Sequence, residues 1–276
     1  MMLCEVAYAK INLALHIRRK REDGYHDIET LFAFCEDGDV LRGEAADEIS
    51  LMIDGPFAEG LVADEGNLVI RATRALQAAA GVTTGARLHL TKNLPIASGI
   101  GGGSADAAAA LRLLARLWKV DTDLHSIAAD LGADVPACLL SQTTRGEGVG
   151  EALTPLGDSL KTSPVLLVNP RVGVSTDTIF KAWDGVDRGA LAHSDDMLAL
   201  AQSSRNDLTV PAIALVPVIT DLLAALEQQP GTTLTRMSGS GATGFALYSS
   251  IQARDFAHAA IVATHPEWWT LASRLR

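Results

Sequence analysis

The sequence has few aromatic residues and no excess of basic charge. Its 276 residues include 6 Phe, 4 Trp and 3 Tyr, so any core must be built mainly from Ala, Val, Leu and Ile. Lys and Arg number 23 against 33 Asp and Glu, a formal net charge of -10. A protein that wraps nucleic acid needs a positive surface to displace counterions. The overall charge therefore argues against nucleic acid as a partner, while a local basic patch for a small anion stays open.

Cysteine is also scarce. Cys4, Cys35 and Cys138 are three in number and widely spaced, which suits neither a disulfide framework nor a zinc site. No apolar run approaches the roughly 18 to 20 residues that a membrane span needs. The first residues, MMLCEVAYAKIN, lack the basic and apolar regions of a signal peptide. We therefore expect a soluble, cytoplasmic protein that does not contact a membrane.

The composition is that of a folded protein, and the length suggests two domains. It is 48% hydrophobic and 20% charged, with 24 Gly, which excludes disorder, collagen and coiled coil. At about 150 residues per domain, the length corresponds to nearly two domains. Predicted strands and helices interleave without a regular βαβ order, so we expect an α+β fold. Weak periodicity at 155–163 places the expected domain boundary there, giving domains 1–155 and 156–276.

Hydrophobic periodicity predicts the individual elements. Apolar residues alternate with polar ones over 9–17, which indicates a strand. Helical spacing over 67–80 stops at Gly81, a common residue just after a helix. Further strands are predicted at 28–34, 49–53, 87–91, 165–168, 232–237 and 244–249, and further helices at 123–131, 211–228 and 253–264.

The segment 95–108, PIASGIGGGSADAA, is the most informative part of the sequence. Four glycines in five positions let the backbone approach a ligand without interference from Cβ atoms. Ser104 is a good N-cap, and the alanine-rich run behind it favours a helix. Free backbone N–H groups and the positive end of a helix dipole form an anion site, for which phosphate is the usual occupant. The segment predicts a phosphate-binding loop; a tight strand-to-helix turn is the alternative.

Two familiar phosphate motifs do not match this loop. The P-loop signature needs a lysine before the Ser or Thr, and here Gly103 precedes Ser104. The dinucleotide fingerprint needs a third glycine where this chain has Ser104. With these two motifs excluded, the segment predicts a glycine-rich nucleotide-binding loop of a different type.

Lys10 and Asp134 each have a structural and a functional interpretation. Lys10 and Asn12 share one face of the first predicted strand. On an exposed face Lys10 is an ordinary strand lysine, whereas in a cleft it is a cation that faces a transferring charge. Asp134, in GADVP, either complements the dipole at the start of a helix or accepts a proton from a substrate hydroxyl in phosphoryl transfer.

Three other segments are less specific. The turn 238–241, SGSG, is either a hairpin-like connection or a second wall of the phosphate site. The basic cluster 18–21 favours a solvated loop over a binding patch. Tyr25 and His26 follow an Asp-Gly turn; the pair is either structural or positioned to stack on a base and to hydrogen-bond it.

Taken together, these segments resemble a known family. AYAKINLALHI, REDGYHDIETLF, PIASGIGGGSADAA, GADVP, GEGVGEALTP and RMSGSGATGFAL occur in the order seen in the superfamily of galactokinase, homoserine kinase, mevalonate kinase and phosphomevalonate kinase. The AKINL strand, DGYH and GADVP narrow the resemblance to the branch that phosphorylates the 2-hydroxyl of 4-diphosphocytidyl-2-C-methyl-D-erythritol. The resemblance covers residues from about 6 to 250.

The resemblance implies an activity, a fold and a set of site residues. It implies ATP with Mg²⁺ as cofactor, a role in the non-mevalonate route to isoprenoid precursors, and a two-domain α+β fold with the site in the cleft between the domains. The N-terminal domain would bind the nucleotide and carry catalysis, and the C-terminal domain would lie on the substrate side. Metal ligands and oligomeric state stay unassigned.

By the same resemblance, Asp134 is the catalytic base and Lys10 its partner. Tyr25 and Phe180 would sandwich the cytosine and His26 would hydrogen-bond its edge, while Asn12 and Asp134 would hold the methylerythritol end. The residues implied for the ATP phosphates are Pro95, Ala97, Ser98, Gly99, Gly101, Gly102, Gly103, Ser104 and Ala105.

Two rival functions remain at this point. One is a superfamily kinase acting on homoserine, a sugar or a mevalonate-type substrate, for which the DGYH segment has no use. The other is a nucleotide-binding protein without catalysis, which has no need of both Lys10 and Asp134.

Overall fold

The structure is a computed structural model and describes residues 1–276. It has ten strands and nine helices. The strands are β1 (Leu3–Lys20), β2 (His26–Ala46), β3 (Ser50–Asp54), β4 (Gly85–Thr91), β5 (Thr144–Glu147), β6 (Ala152–Pro155), β7 (Pro164–Asn169), β8 (Thr232–Met237), β9 (Gly244–Tyr248) and β10 (Trp269–Arg274). The helices are α1 (Leu68–Ala80), α2 (Gly102–Trp118), α3 (Leu124–Leu131), α4 (Val135–Leu140), α5 (Thr176–Lys181), α6 (Met197–Ser203), α7 (Thr209–Leu215), α8 (Val218–Glu227) and α9 (Ile251–Thr264).

The chain forms two compact units, each assembled from separate stretches of sequence. Unit 1 contains 1–9, 37–96 and 101–141; unit 2 contains 10–36, 97–100 and 142–276. The boundary expected near residue 155 differs from this division, because β1 and β2 are long strands with residues in both units. As the limit between two sequence domains, residue 155 stays a prediction.

Unit 1 is a layer of strands covered by helices. Residues 40–46 of β2 pair antiparallel with β4, which pairs on its other side in parallel with β3. The helices α1 and α2 pack on each other, and α2 also contacts α3 and α4. Four successive alanines, 107–110, are fully buried in α2; their small side chains let neighbouring elements approach closely.

Unit 2 contains a four-stranded antiparallel sheet in the order β10-β7-β9-β8. Its inward side chains, such as Leu166 and Ala246, pack against Leu222 of α8 and Ile261 of α9 in one buried cluster. A second cluster joins Leu15 and Ile17 of β1 to residues of α5, α7 and α8. The first half of β2 pairs with β5, and β5 pairs with β6.

Several predicted elements are confirmed, and two require correction. The strand predicted at 28–34 extends over His26–Ala46. The single helix predicted at 211–228 is two helices, α7 and α8, separated at Val216 and Pro217. Val216 has φ −135° and ψ 79°, outside the helical region, because the residue before a proline is sterically restricted.

None of the nine helices combines the length and the apolar character that a membrane-spanning helix requires.

Candidate active site

Lys10 lies in unit 2, within a stretch of β1 in which residues 9–17 are all buried. Its side chain is only 4% exposed. The ammonium Nζ donates a 3.2 Å hydrogen bond to Oδ1 of Asn12 and lies 5.0 Å from the centroid of the Phe32 ring. An ammonium group inside a protein is costly unless polar partners hold it. The structure therefore excludes the alternative of an ordinary exposed strand lysine.

Asn12 is fixed by hydrogen bonds from both ends of its amide. Its Nδ2 donates to Oγ1 of Thr30 at 2.8 Å, and Thr30 in turn donates to the carbonyl oxygen of Ala14 at 2.6 Å. Because Nδ2 faces Thr30, Oδ1 is the atom turned toward Lys10. Asn12 thus holds the lysine, and its contact with substrate stays a prediction.

The turn at 238–241 contacts the part of the glycine loop that belongs to unit 2. Ser238 is fully buried, and its Oγ donates to the carbonyl oxygen of Gly99 at 2.8 Å. Gly99 has φ +77°, and a Cβ there would lie 2.3 Å from the carbonyl oxygen of Ser238. The turn also joins the antiparallel strands β8 and β9. It is therefore a hairpin connection and at the same time a support of the glycine loop.

The remainder of the loop opens α2 in unit 1. The N-cap is Gly101, with φ 65° and no side-chain capping hydrogen bond. Ser104 lies inside the helix, so its expected role as N-cap is wrong: the glycines before it allow the helix to begin earlier. The first backbone N–H groups of a helix have no partner within the helix, and here the N-cap residue is a glycine, which has no side chain to cap them. The start of α2 therefore presents backbone donors and the positive end of its dipole.

Asp134 is the N-cap residue of α4, in unit 1, and is partly buried. Its carboxylate makes no capping hydrogen bond to this helix, but it stands at the helix start, where a carboxylate complements the dipole. Pro136 occupies the first turn. The guanidinium of Arg112, on α2, donates to the carbonyl oxygen of Cys138 at 2.7 Å, which ties α4 to α2.

Each unit contains a share of the predicted site residues. Those in unit 2 are Lys10, Asn12, Tyr25, His26, Ala97, Ser98, Gly99 and Phe180. Those in unit 1 are Pro95, Gly101, Gly102, Gly103, Ser104, Ala105 and Asp134.

The residues predicted for the cytosine form an aromatic group in unit 2. The His26 ring lies 5.1 Å from that of Phe180, in a tilted arrangement, and 5.6 Å from that of Trp183, edge-on. His26 is buried, whereas Tyr25 is 61% exposed. Burial is the main cause that lowers the pKa of His26, with a further contribution from Lys20. The imidazole is therefore neutral near neutral pH, with one nitrogen as donor and the other as acceptor.

Two residues of the candidate site were not predicted from the sequence: one in the aromatic group around His26 and one in the hydrogen bonds of Asn12. Trp183 packs on His26, and its three-residue spacing from Phe180 was the available signal. Thr30 fixes Asn12, and its spacing of two from Ile28 on β2 places the two on one face of that strand.

The structure contains no group of three His, Cys, Asp or Glu side chains placed to hold a metal ion. Mg²⁺ commonly retains waters and binds through substrate phosphates with one or two carboxylates. No protein ligand for Mg²⁺ is assigned.

Two family descriptions match the sequence. Residues 67–142 match the GHMP kinases N terminal domain, and residues 188–266 match the GHMP kinases C terminal domain. Residue 155 lies between these two ranges.

Curated relatives match the chain over nearly its full length. A protein of Rhizorhabdus wittichii is 53% identical over 278 residues, covering 99% of this chain and 94% of the relative. A protein of Novosphingobium aromaticivorans is 50% identical over 276 residues, covering 100% of this chain and 94% of the relative. Both relatives are named 4-diphosphocytidyl-2-C-methyl-D-erythritol kinase.

Solved structures agree with this fold. A 4-(cytidine 5'-diphospho)-2C-methyl-D-erythritol kinase matches with a TM-score of 0.79 and 33% identity, covering 100% of this chain and 99% of the other. A homoserine kinase from Cytophaga hutchinsonii has a TM-score of 0.77 at 19% identity, covering 99% of this chain and 95% of the other. At this identity, the similarity shows only that the two proteins have the same fold.

Proposed function

The chain belongs to the 4-diphosphocytidyl-2-C-methyl-D-erythritol kinase family of the GHMP kinases, and from that premise we propose how its own residues perform the reaction. It is a small-molecule kinase of the non-mevalonate route to isoprenoid precursors. The γ-phosphoryl group of ATP passes to the 2-hydroxyl of the methylerythritol moiety, giving the 2-phosphate and ADP. The buried Lys10 ammonium, held at 3.2 Å by Asn12, is the structural observation that carries the assignment of the catalytic residues.

Asp134 and Lys10 are the proposed catalytic residues. The 2-hydroxyl oxygen forms a bond to the γ-phosphorus while the bond from that phosphorus to the bridging oxygen of ADP breaks. The hydroxyl proton passes to the carboxylate of Asp134, and Lys10 stabilises the negative charge on the transferring group. Phosphoryl transfer depends mostly on positioning and charge stabilisation. Asp134 therefore mainly orients the hydroxyl and accepts the proton late.

The start of α2 is the proposed site for the ATP phosphates. Gly101 has a left-handed conformation, and no side chain caps the helix, so its first amides can donate to phosphate oxygens. The loop residues predicted from the sequence contribute backbone to the same cradle. Mg²⁺ supplies charge neutralisation on the phosphates when it is bound.

The aromatic group around His26 is the proposed site for the cytosine. Phe180 offers one ring face next to His26, and Tyr25 is exposed and able to close over the other side of the base. A neutral imidazole can donate one hydrogen bond and accept another, which suits the edge of a pyrimidine.

We place the reaction in the cytoplasm, because the proposed donor is ATP and because none of the three cysteines is joined in a disulfide, which suits a reducing compartment.

The test is release of ADP with three alcohols offered at equal concentration. Turnover should require 4-diphosphocytidyl-2-C-methyl-D-erythritol and give its 2-phosphate, identified by mass and by the phosphorus–carbon coupling at position 2, a carbon that bears the methyl group and no hydrogen. Preference for homoserine or mevalonate would overturn the substrate assignment. Binding of ATP without turnover of any alcohol would indicate a nucleotide-binding protein without catalysis.

A further inference from the structure

Unit 1 contains a buried cluster of three charged side chains that the proposed mechanism does not use. Lys92 follows β4, Asp39 lies on β2 and Asp106 lies on α2. Their exposures are 3%, 0% and 4%. The Lys92 ammonium donates to Oδ2 of Asp106 at 2.6 Å and to Oδ2 of Asp39. One cation therefore sits between two carboxylates in a site closed to solvent.

The glycine loop enters from unit 1 before residue 97 and returns to unit 1 at residue 101. The cluster contacts the chain at both of these ends. On the entry side, Oδ1 of Asp39 accepts hydrogen bonds from the backbone N–H groups of Asn93 and Leu94, at 2.5 and 2.9 Å. These residues directly precede Pro95. On the exit side, Asp106 is the fifth residue of α2 and is bound to Lys92.

The same cluster lies directly beneath the first turn of α2. A Cβ built on Gly102, the first residue of the helix, would lie 3.5 Å from Nζ of Lys92 and 3.8 Å from Oδ2 of Asp39. The charge of the cluster therefore acts at close range on the place where the phosphates of ATP are proposed to bind. Within the interior of a protein, such charges interact more strongly than in water.

The charges of the cluster do not balance when all three groups are ionised. Two carboxylates and one ammonium leave a net charge of −1, and Oδ1 of Asp106 is buried without a hydrogen-bond partner. Burial raises the pKa of Asp106 to about 7, with Lys92 acting in the opposite direction and Asp39 adding to the rise.

The helices packed on α2 contain no buried charged side chain. Arg71 and Arg74 of α1 and His125 and Asp130 of α3 are exposed, and α4 has no charged side chain. The protonation of Asp106 is thus governed by Lys92, Asp39 and whatever charge binds at the start of α2.

We propose that Asp39, Lys92 and Asp106 position both ends of the glycine loop and that Asp106 takes up a proton when the phosphates of ATP bind. This inference rests on the proposed function, because it needs ATP at the start of α2. An anion above an ionised Asp106 is repelled, whereas above a neutral Asp106 it meets only the balanced pair of Lys92 and Asp39. Asp106 is a positioning residue in this scheme and touches neither substrate nor nucleotide.

The direction of the pH effect follows from this linkage. Below pH 7 Asp106 is already neutral in the free protein, so ATP binds without proton uptake. Above pH 7 binding must first neutralise Asp106, so affinity for ATP falls as the pH rises. A shift of about one pKa unit on binding corresponds to about a tenfold loss of affinity. Asp106→Asn resembles the neutral form and should retain tight binding at high pH.

The experiment is titration calorimetry of ATP with the wild-type protein and with Asp106→Asn, at about pH 6 and about pH 8, in buffers of different ionisation enthalpy. The wild-type protein should take up more protons than the variant at pH 8, and its Kd for ATP should rise about three- to tenfold more between the two pH values. The proton equilibria of ATP itself are the same in both titrations and cancel in the comparison. Equal proton uptake and parallel Kd changes would overturn the inference.

Asp130→Asn is the matched control, because Asp130 is exposed on α3 in the same unit; it should behave as the wild-type protein. If Asp106→Asn does not fold, infrared difference spectra of the wild-type protein decide the question. Binding of ATP at pH 8 should produce a carboxylic-acid C=O band, and its absence would overturn the inference. A wild-type protein that does not bind ATP at all would instead contradict the proposed function.

Discussion

The hydroxyl group of Ser238 joins two segments that are far apart in sequence: it donates to the carbonyl oxygen of Gly99 at 2.8 Å and accepts from the backbone N–H of Asn12 at 3.2 Å. Through this one side chain, the glycine loop is connected to the strand that bears Lys10. The side chain of Asn206 supports the same turn by donating to the carbonyl oxygens of Met237 and Gly239, both at 2.8 Å.

Replacing Ser238 with alanine should therefore lower both stability and turnover. The change removes the hydrogen-bond partner of the partly buried carbonyl oxygen of Gly99 and of the buried N–H group of Asn12, which costs about 1–3 kcal/mol. We expect a lower midpoint of urea unfolding and a reduced kcat. Ser159→Ala, at an exposed position, serves as the control, and an unchanged midpoint for Ser238→Ala would contradict the role of this hydroxyl.

Gly99→Ala should disturb the same contact through the backbone. Gly99 has φ +77°, and its new Cβ would lie 2.3 Å from the carbonyl oxygen of Ser238. Left-handed strain alone costs about 1–3 kcal/mol, and the overlap adds to it. We expect a clear fall in Tm together with loss of activity. Gly157→Ala is the matched control, since nothing lies within 4 Å of its Cβ; similar behaviour of the two variants would refute the argument.

Asp134→Asn should abolish most of the turnover without weakening substrate binding. The amide keeps the shape of the side chain but cannot accept the hydroxyl proton, and general-base groups contribute about 10²–10⁴-fold. Steady-state kinetics should show a fall in kcat of that order, with little change in either KM. Asp130→Asn provides the control on a neighbouring helix, and near-normal turnover of Asp134→Asn would remove it from the catalytic residues.

The KM for the diphosphocytidyl substrate should depend on the protonation of His26. Its pKa is lowered, first by burial and then by Lys20, so the neutral form persists down to pH values below the ordinary His pKa of about 6.5. We expect KM to be constant above that pH and to rise as the pH falls through the lowered pKa. His26→Gln should raise this KM and leave the KM for ATP unchanged. A substrate KM of His26→Gln equal to that of the wild-type protein would exclude the cytosine contact.

The lowered pKa of His26 also makes the stability of the folded protein depend on pH. Because His26 is protonated more easily in the unfolded chain than in the folded protein, its contribution to stability is complete above pH 6.5 and is lost as the pH falls through the lowered pKa. His16 is shifted in the same direction, first by burial and then by Arg205.

Local sequence signals predicted much of the secondary structure. The helix expected over 67–80 is α1, and Gly81 follows it in the left-handed conformation with its N–H donating to the carbonyl oxygens of Ala78 and Gln77. The strand expected at 232–237 is β8. In both cases the periodicity and the turn residue lie within one short window, so no tertiary information is needed.

Contacts between distant residues could not be predicted in this way. Asp39, Lys92 and Asp106 are separated by 53 and 14 positions, and nothing local to any of them indicates that they meet. The alternation of β1 gave a polar face containing Lys10, yet only the folded chain shows that this face is buried. The assignment of Ser104 as N-cap failed for a related reason, because the left-handed conformation of Gly101 moves the start of α2.

The interleaving of the two units has a consequence for synthesis on the ribosome. Every residue of unit 1 has been made once residue 141 has emerged, but residues 10–36 belong to a unit whose largest part, 142–276, comes last. The apolar parts of these early strands must therefore wait for more than a hundred residues before their long-range partners exist. Transiently exposed strands of this kind are prone to aggregation. The nascent chain should accordingly bind chaperones through residues 10–36, even after all residues of unit 1 have been made.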